Sequence, residues 1–326
     1  MLRFIIRRVL LAFFTLFAIS VTTFAIFFAG PADPASMMCG ARQCDPVAHE
    51  RINRILGLDE PITTQYVKYM KGIFLGRQIG DIECPAPCLG VSFRTREPVT
   101  TILARSAPVT LSITVGSAVI YLVVGVGLGM ISAIRQGTYM DRAAVGVSLV
   151  FASMQIFFLG LLLLYIFVYG YGWLPRPQYH PITENPLKWA GGMIVPWLTI
   201  GLISAATYAR FSRAQMLETL SEDYVRTAQA KGASKLRVNF RHAFRAAVTP
   251  IVTIAGIEIG GQLGGLVITE TTFSMLGIGR QAVNAVNNLN LPIIMATVLI
   301  AAVAVVVANL IVDVSYALID PRVRLS

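Results

Sequence analysis

Glu258 and Gln262 stand four residues apart inside the apolar run 247–269, where a carboxylate is costly unless it has a partner or a water-filled cavity. That spacing places both on one helical face. Two roles fit the pair: lining a translocation path, or hydrogen bonding to another helix inside a bundle. Gly256, Gly260 and Gly264 occupy the same run as two overlapping G-x-x-x-G steps, with Gly261 and Gly265 alongside, and such a stripe lets a second helix backbone approach closely. Asp313 follows Asn309 by four residues in the last apolar run and is read as structural, bonded to Asn309 or to a neighbouring helix. Glu270, beside Phe273 and Met275, is read as facing solvent, with a place in an external gate as the alternative.

Other chemistries lack their residues. The phosphate-cradling motif G-x-x-x-x-G-K-[ST] is missing, and the glycine run at 125–129 lies inside an apolar segment rather than after a soluble strand. The chain also lacks H-E-x-x-H and the nucleophile elbow G-x-S-x-G. The three histidines, His49, His180 and His242, fall in three separate loops, so no metal site is assigned to them. No residue is assigned a catalytic role. Cys39, Cys44, Cys84 and Cys88 fall in two stretches between the first two apolar runs, as C-x4-C and C-x3-C. Two disulfides are the preferred reading, with the connectivity open. Linking the two pairs would close a loop of about forty residues and stabilise the fold by about 3–4 kcal/mol. A four-cysteine zinc or iron–sulfur site is the alternative, although its spacing is poorer than the paired C-x2-C of strong zinc sites.

The elements that must position these residues are membrane helices. The 326-residue chain is 55% hydrophobic and 13% charged, with a mean hydropathy of +0.67, whereas soluble domains carry about 25% charged residues. A net charge of +10 without any nucleic-acid-binding fingerprint gives no reason to expect nucleic acid as a partner. Six runs reach spanning length: 9–29, 107–134, 143–170, 190–209, 247–269 and 292–316. The first outlasts the 7–15 apolar residues typical of a signal-peptide core, roughly, and reads as a retained anchor helix. With both termini cytoplasmic, the inner segments 1–8, 135–142, 210–246 and 317–326 hold 3, 2, 8 and 2 Lys plus Arg. The short outer loops 171–189 and 270–291 hold only Arg176, Lys188 and Arg280, as the positive-inside rule requires. Residues 30–106 then lie outside, where disulfides persist. Helical apolar spacing in IxxILGL and QYVKYMKGIF suggests that they form a small folded cap.

The most cationic inner segment, 210–246, has internal pattern as well as charge. Thr219 and Glu222 have the T-x-x-E spacing of a capping box. Leu217, Leu220 and Tyr224 recur on one face, and Gly232 interrupts it, so two short helices broken at Gly232 are expected beneath the membrane.

Here the sequence resembles a known family. DYVRTAQAKGASKLRVNFRHAFRAAVTPIVT is similar to the cytoplasmic "EAA" loop of ABC-importer permeases of the DppB/OppB group, which import dipeptides, oligopeptides and, in some members, nickel or glutathione. LGLDEPITTQYVKYMKGIFLG, REPVTTILARSAPVTLSI, YGWLP, ETTFSMLGIG and YALIDPRVR extend the resemblance over almost the whole chain. Aligned on Gly232, Arg226, Thr227 and Ala228 stand where the loop's named residues would be, and Arg226 in place of glutamate resembles the peptide-permease subgroup. The two cysteine stretches look like additions to the family pattern.

The resemblance implies an all-α membrane protein of the type I importer permease fold, with six transmembrane helices, cytoplasmic termini and an extracytoplasmic cap. The expected organisation is an anchor helix at 1–29, the cap at 30–106, a core permease at 107–316 containing the coupling loop 210–246, and a cytoplasmic tail at 317–326. It implies the translocating subunit of an ATP-driven importer in a bacterial inner membrane, carrying di- or oligopeptides. Nickel, glutathione or another small ligand is the alternative cargo, and a stand-alone secondary transporter the alternative class. Implied partners are a homologous DppC/OppC-like permease, two ATP-binding subunits that hold ATP and magnesium, and an extracytoplasmic peptide-binding protein; this chain binds no cofactor itself. Asp223, Tyr224, Arg226, Thr227, Ala228, Lys231 and Gly232 would couple to an ATP-binding subunit. Gly256, Gly260 and Gly264 would meet the partner permease.

Overall fold

Hydrocarbon offers backbone groups no water to bond, so long apolar runs must satisfy their own hydrogen bonds as helices. A computed structural model describes residues 2–28, 35–36, 45–92 and 94–319. Helix α1 (Leu2–Phe28) is followed by a small folded unit of α2 (Pro46–Leu56), α3 (Ile62–Leu75) and a hairpin of β1 (Arg77–Ile79) and β2 (Ile82–Cys84). The strands are antiparallel, with Arg77 opposite Cys84 and Ile79 opposite Ile82. Then come α4 (Val99–Ile134), α5 (Tyr139–Ser153), α6 (Ile156–Gly170) and α7 (Pro186–Leu220). The short α8 (Asp223–Ala230) leads to α9 (Lys235–Leu263), and α10 (Val267–Thr272) and α11 (Ile278–Asn287) precede α12 (Leu291–Ile319).

Among the described residues, five helices are long and apolar enough to span a membrane, or six if α5 and α6 count as one bent span. The expected straight run 143–170 is in fact two helices meeting at 102°. Met154 and Gln155 are both extended there, without a proline or glycine to announce the break. The second span starts at Val99 rather than 107, so residues 99–106, expected before it, are already helical. The fifth ends at Leu263 rather than 269, because the chain turns through Gly264, Gly265 and Leu266 before α10.

Helix α7 is the hub. It lies against α4, α5 and α9, while α12 lies against α9 and α1. Glycines set the closest contacts: a Cβ on Gly125 would lie 2.8 Å from the Ala205 carbonyl oxygen, and one on Gly129 would lie 2.4 Å from that of Ala209. The glycine run that sequence placed inside a span therefore serves helix packing. Apolar clusters fill the bundle, one around Ile113, Leu159, Met193 and Phe273 and another around Tyr121, Tyr208 and Ile251. The unit after α1 docks through aromatic residues, as Tyr66 and Tyr69 of α3 pack on Phe24 of α1 and Tyr66 bonds Ser20 at 2.7 Å. Burial pushes the Tyr69 phenol up to about 12, so it stays neutral beside the Arg77 guanidinium that lies over its ring.

Candidate functional site

The expected coupling segment forms as a short, outward-facing helix. Val225 is fully buried and is the anchor of α8. Burying such a side chain is worth about 1.5–3 kcal/mol. Around it Asp223, Tyr224, Arg226, Thr227, Lys231 and Gly232 are exposed, and Ala228 is half-buried. Tyr224 is 47% exposed, a large aromatic only partly covered by the chain. Its phenol is held above the ordinary range by partial burial and by the Glu222 carboxylate, and stays neutral. Gly232 has φ +78° with open space where a Cβ would stand, so glycine is required there by backbone conformation and not by crowding. The helix-breaking role expected of Gly232 is what the chain shows.

Two details differ from expectation. The capping box does not form: Thr219 remains inside α7, its hydroxyl donating to the Gln215 carbonyl at 2.8 Å, and Glu222 precedes α8 without a side-chain cap. Nor is there a second short helix after Gly232. Ser234 caps a new start, its Oγ accepting from Arg237 N at 3.4 Å, and the helix then runs unbroken as α9 into the apolar region. The elbow is therefore one short helix between two long ones.

Glu258 and Gln262 share a face of α9, as their spacing demands. Ser204 Oγ of α7 donates to Glu258 Oε1 at 2.7 Å, and Gln262 Nε2 donates to the same oxygen at 3.3 Å. Ser117 Oγ of α4 reaches Gln262 Oε1 at 3.5 Å. The helix-to-helix reading is thus realised, and it joins α4, α7 and α9. Gln262 is buried, while Glu258 is half-buried. One turn along from Ser117 and Ser204, the rings of Tyr121 and Tyr208 stack at 4.8 Å. The hydroxyls of Thr114 and Tyr121 are buried without a protein partner.

The glycine stripe points elsewhere than expected. A Cβ on Gly256 would lie 1.8 Å from a Val312 methyl, one on Gly260 2.6 Å from Ala308 Cβ, and one on Gly264 2.8 Å from Ala301 Cβ. All three neighbours belong to α12. The stripe is consumed by packing within the chain, and is not a free surface for a second permease. Gly261, with nothing within 4 Å, lies on the open side.

Glu270 corrects a second expectation. It is fully buried and not solvent-facing. Thr110 Oγ1 of α4 donates to its Oε1 at 2.7 Å, Arg280 N donates to its Oε2 at 2.8 Å, and Ile278 N donates to Thr110 Oγ1 at 2.9 Å. The carboxylate therefore caps the amino end of α11 and ties the segment 264–280 to α4. Asp313 bonds Arg8 of α1 at 3.2 Å, the neighbouring-helix option.

Cys84 and Cys88 are joined by a disulfide within one stretch, which excludes a link from either to the other stretch. Cys39 and Cys44 lie outside the described residues. No group of three or more His, Cys, Asp or Glu suited to a metal ion occurs among the described residues.

Sequence reasoning missed one cluster altogether. Asp141 is buried at the start of α5 and receives Arg213 Nε at 2.7 Å and Nη2 at 2.8 Å, Gly137 N at 2.9 Å, and the Ser132 hydroxyl. It joins the end of α4, the 135–138 turn, α5 and α7. A lone acid in a segment otherwise read as a basic inner loop was the only signal available.

The chain is similar to known proteins over its whole length. A family described as "Binding-protein-dependent transport system inner membrane component" matches residues 125–325, and its amino-terminal companion, "Binding-prot-dependent transport system membrane comp, N-term", matches 1–114. A probable peptide ABC transporter permease protein, y4tP, of Sinorhizobium fredii is 35% identical over 321 residues, covering 98% of this chain and 99% of the relative. The dipeptide transport system permease protein DppB of Escherichia coli is 34% identical over 349 aligned positions, covering 99% of each. The glutathione transport system permease protein GsiC of Escherichia coli is 35% identical over 324, again with 99% of each covered.

Proposed function

This chain belongs to the binding-protein-dependent transport system inner membrane components, as a DppB/OppB-like multi-pass permease of a bacterial inner membrane, and on that premise we propose that it carries di- or oligopeptides through an ATP-driven importer. It is the translocating subunit and not the ATPase. Six spans with both termini cytoplasmic put α8 on the inner face and residues 30–98 outside, the latter as a cap. The spanning core then runs from Val99 to 316, with 1–29 as the anchor and 317–326 as the inner tail.

The observation that carries the reading is α8: an amphipathic helix held by one buried valine, presenting Tyr224, Arg226, Thr227 and Lys231 outward, and hinged at a left-handed Gly232. Among the described residues, that face is exposed. An ATP-binding subunit docked there moves α8 when it closes on ATP and magnesium. Because α8 continues into α7 at one end and α9 at the other, its displacement rocks both helices, and with them the Ser204, Glu258 and Gln262 bonds that cross between them. Glu258 and Gln262 line the resulting path. A DppC/OppC-like permease completes the pore, a second ATP-binding subunit serves that permease, and an extracytoplasmic peptide-binding protein delivers cargo to the cap.

The relative named for glutathione favours one variant of the reading, since glutathione is itself a small peptide. Uptake of labelled dipeptide, oligopeptide and glutathione by cells carrying the whole system distinguishes the cargoes. In the same assay Gly232→Val, which forces a β-branched residue to φ +78°, is expected to abolish uptake with the subunit still inserted. Full uptake by that variant would count against coupling through this elbow.

A further inference from the structure

A cavity of about 600 Å3 opens at the end of the bundle where α4 and α12 begin, opposite to α8. Its volume lies in the range of small-ligand sites, roughly 300–1,000 Å3. Ile102, Val109, Met275 and Ile293 give it an apolar floor, and Glu97 and Arg105 stand at its rim with Oε2 and Nη1 3.2 Å apart. Apolar walls with a few placed polar groups are what such a site requires. The rim is held rigidly. Ser92 N donates to the Glu97 carbonyl at 2.9 Å, Arg96 N to the Ser92 carbonyl at 2.8 Å, and Asn290 Nδ2 of the segment before α12 to Ser92 Oγ at 2.7 Å.

We propose that this cavity is a receiving site for a free zwitterionic peptide, the ligand's carboxylate turning to Arg105 and its ammonium to Glu97. The proposal rests on the peptide-importer reading above and adds a ligand site on the permease itself. Two opposite charges side by side match the two ends of a short peptide, and the apolar floor takes its side chains. Arg105 and Glu97 pair with each other at that position. With side chains 68% and 41% exposed, it is worth little to the fold and is readily opened by a ligand that supplies both charges. The floor also touches the knot around Glu270: Val109 precedes Thr110, which donates to that carboxylate, and Met275 N donates to the Glu270 carbonyl at 2.8 Å. A peptide seated there rests on the segment that must part for it to pass.

The test uses the assembled transporter in lipid nanodiscs, without binding protein or nucleotide, and equilibrium dialysis with radiolabelled dialanine. Saturable binding is expected that Arg105→Gln and Glu97→Gln each weaken about tenfold, the loss of one charged hydrogen bond, and that N-acetyl-dialanine amide does not compete for. Both side chains are exposed, so the variants fold. Absence of saturable binding, equal competition by the blocked peptide, or binding indifferent to both substitutions overturns the proposal. ATP-driven peptide uptake, measured in parallel with the binding protein present, separates the outcomes. Intact uptake without binding here removes only this site, whereas absent peptide uptake removes the importer reading.

Discussion

Buried polar residues decide how this bundle holds together, because in an apolar interior each one must be matched or it costs more than it gives. Asp141 is the clearest case. It receives a bidentate guanidinium, a backbone amide and a hydroxyl, and its side chain is only 6% exposed. Asp141→Asn leaves Arg213 without its counter-charge and is expected to destabilise the protein by about 3 kcal/mol, read as a lowered unfolding midpoint in detergent. Adding Arg213→Gln should recover part of that loss, since the cost lies in an unpaired charge. Purely additive losses in the double variant would show that the two residues act independently. Glu270 makes the same kind of argument at the other end of α4. Gly277→Ala would push a Cβ to within 2.2 Å of its carboxylate carbon, so uptake and thermal stability should both fall, and an unchanged midpoint would deny the knot its tightness.

At the scale of helices, small residues dictate which faces meet. Gly260→Leu inserts a side chain where Ala308 and Val305 already stand, and should part α9 from α12 with a loss of about 1–3 kcal/mol or failure to insert. Gly261→Ala, one residue on, meets nothing within 4 Å among the described residues and should not lower the isolated subunit's midpoint. Comparable losses from both would mean that the stripe does not face α12. The sequence showed that such a stripe existed but not which helix it served, because periodicity marks a face without naming its partner. Long apolar runs were legible for the same reason that they are helical. The break at Met154 and Gln155 was not, since neither residue disfavours a helix and their extended backbone is set by nothing in their own chemistry. Gly232 was legible because only glycine takes φ +78° freely, whereas T-x-x-E at 219–222 misled: α7 simply continues past Thr219, which turns its hydroxyl back along the helix. Glu270 was misread because a polar residue near a span end usually finds water, and only the fold shows three donors converging on it and Thr110.

For the whole molecule, the account requires one force relay. The hub α7 and α9 flank α8, the Ser204–Glu258 bond ties α7 to α9, and the Ser117–Gln262 bond ties α9 to α4, so a push on α8 is shared by three spans. Glu258→Gln keeps an acceptor for Ser204 but removes the carboxyl group, and should slow uptake while leaving co-purification with the other subunits intact. Unaltered uptake would take Glu258 off the path. The most direct measurement is photocross-linking from a benzoylphenylalanine placed at Tyr224 in the assembled complex. The account predicts a single cross-linked product with an ATP-binding subunit, formed on the inner side of the membrane. A product with the extracytoplasmic binding protein, or none with any subunit, would contradict it.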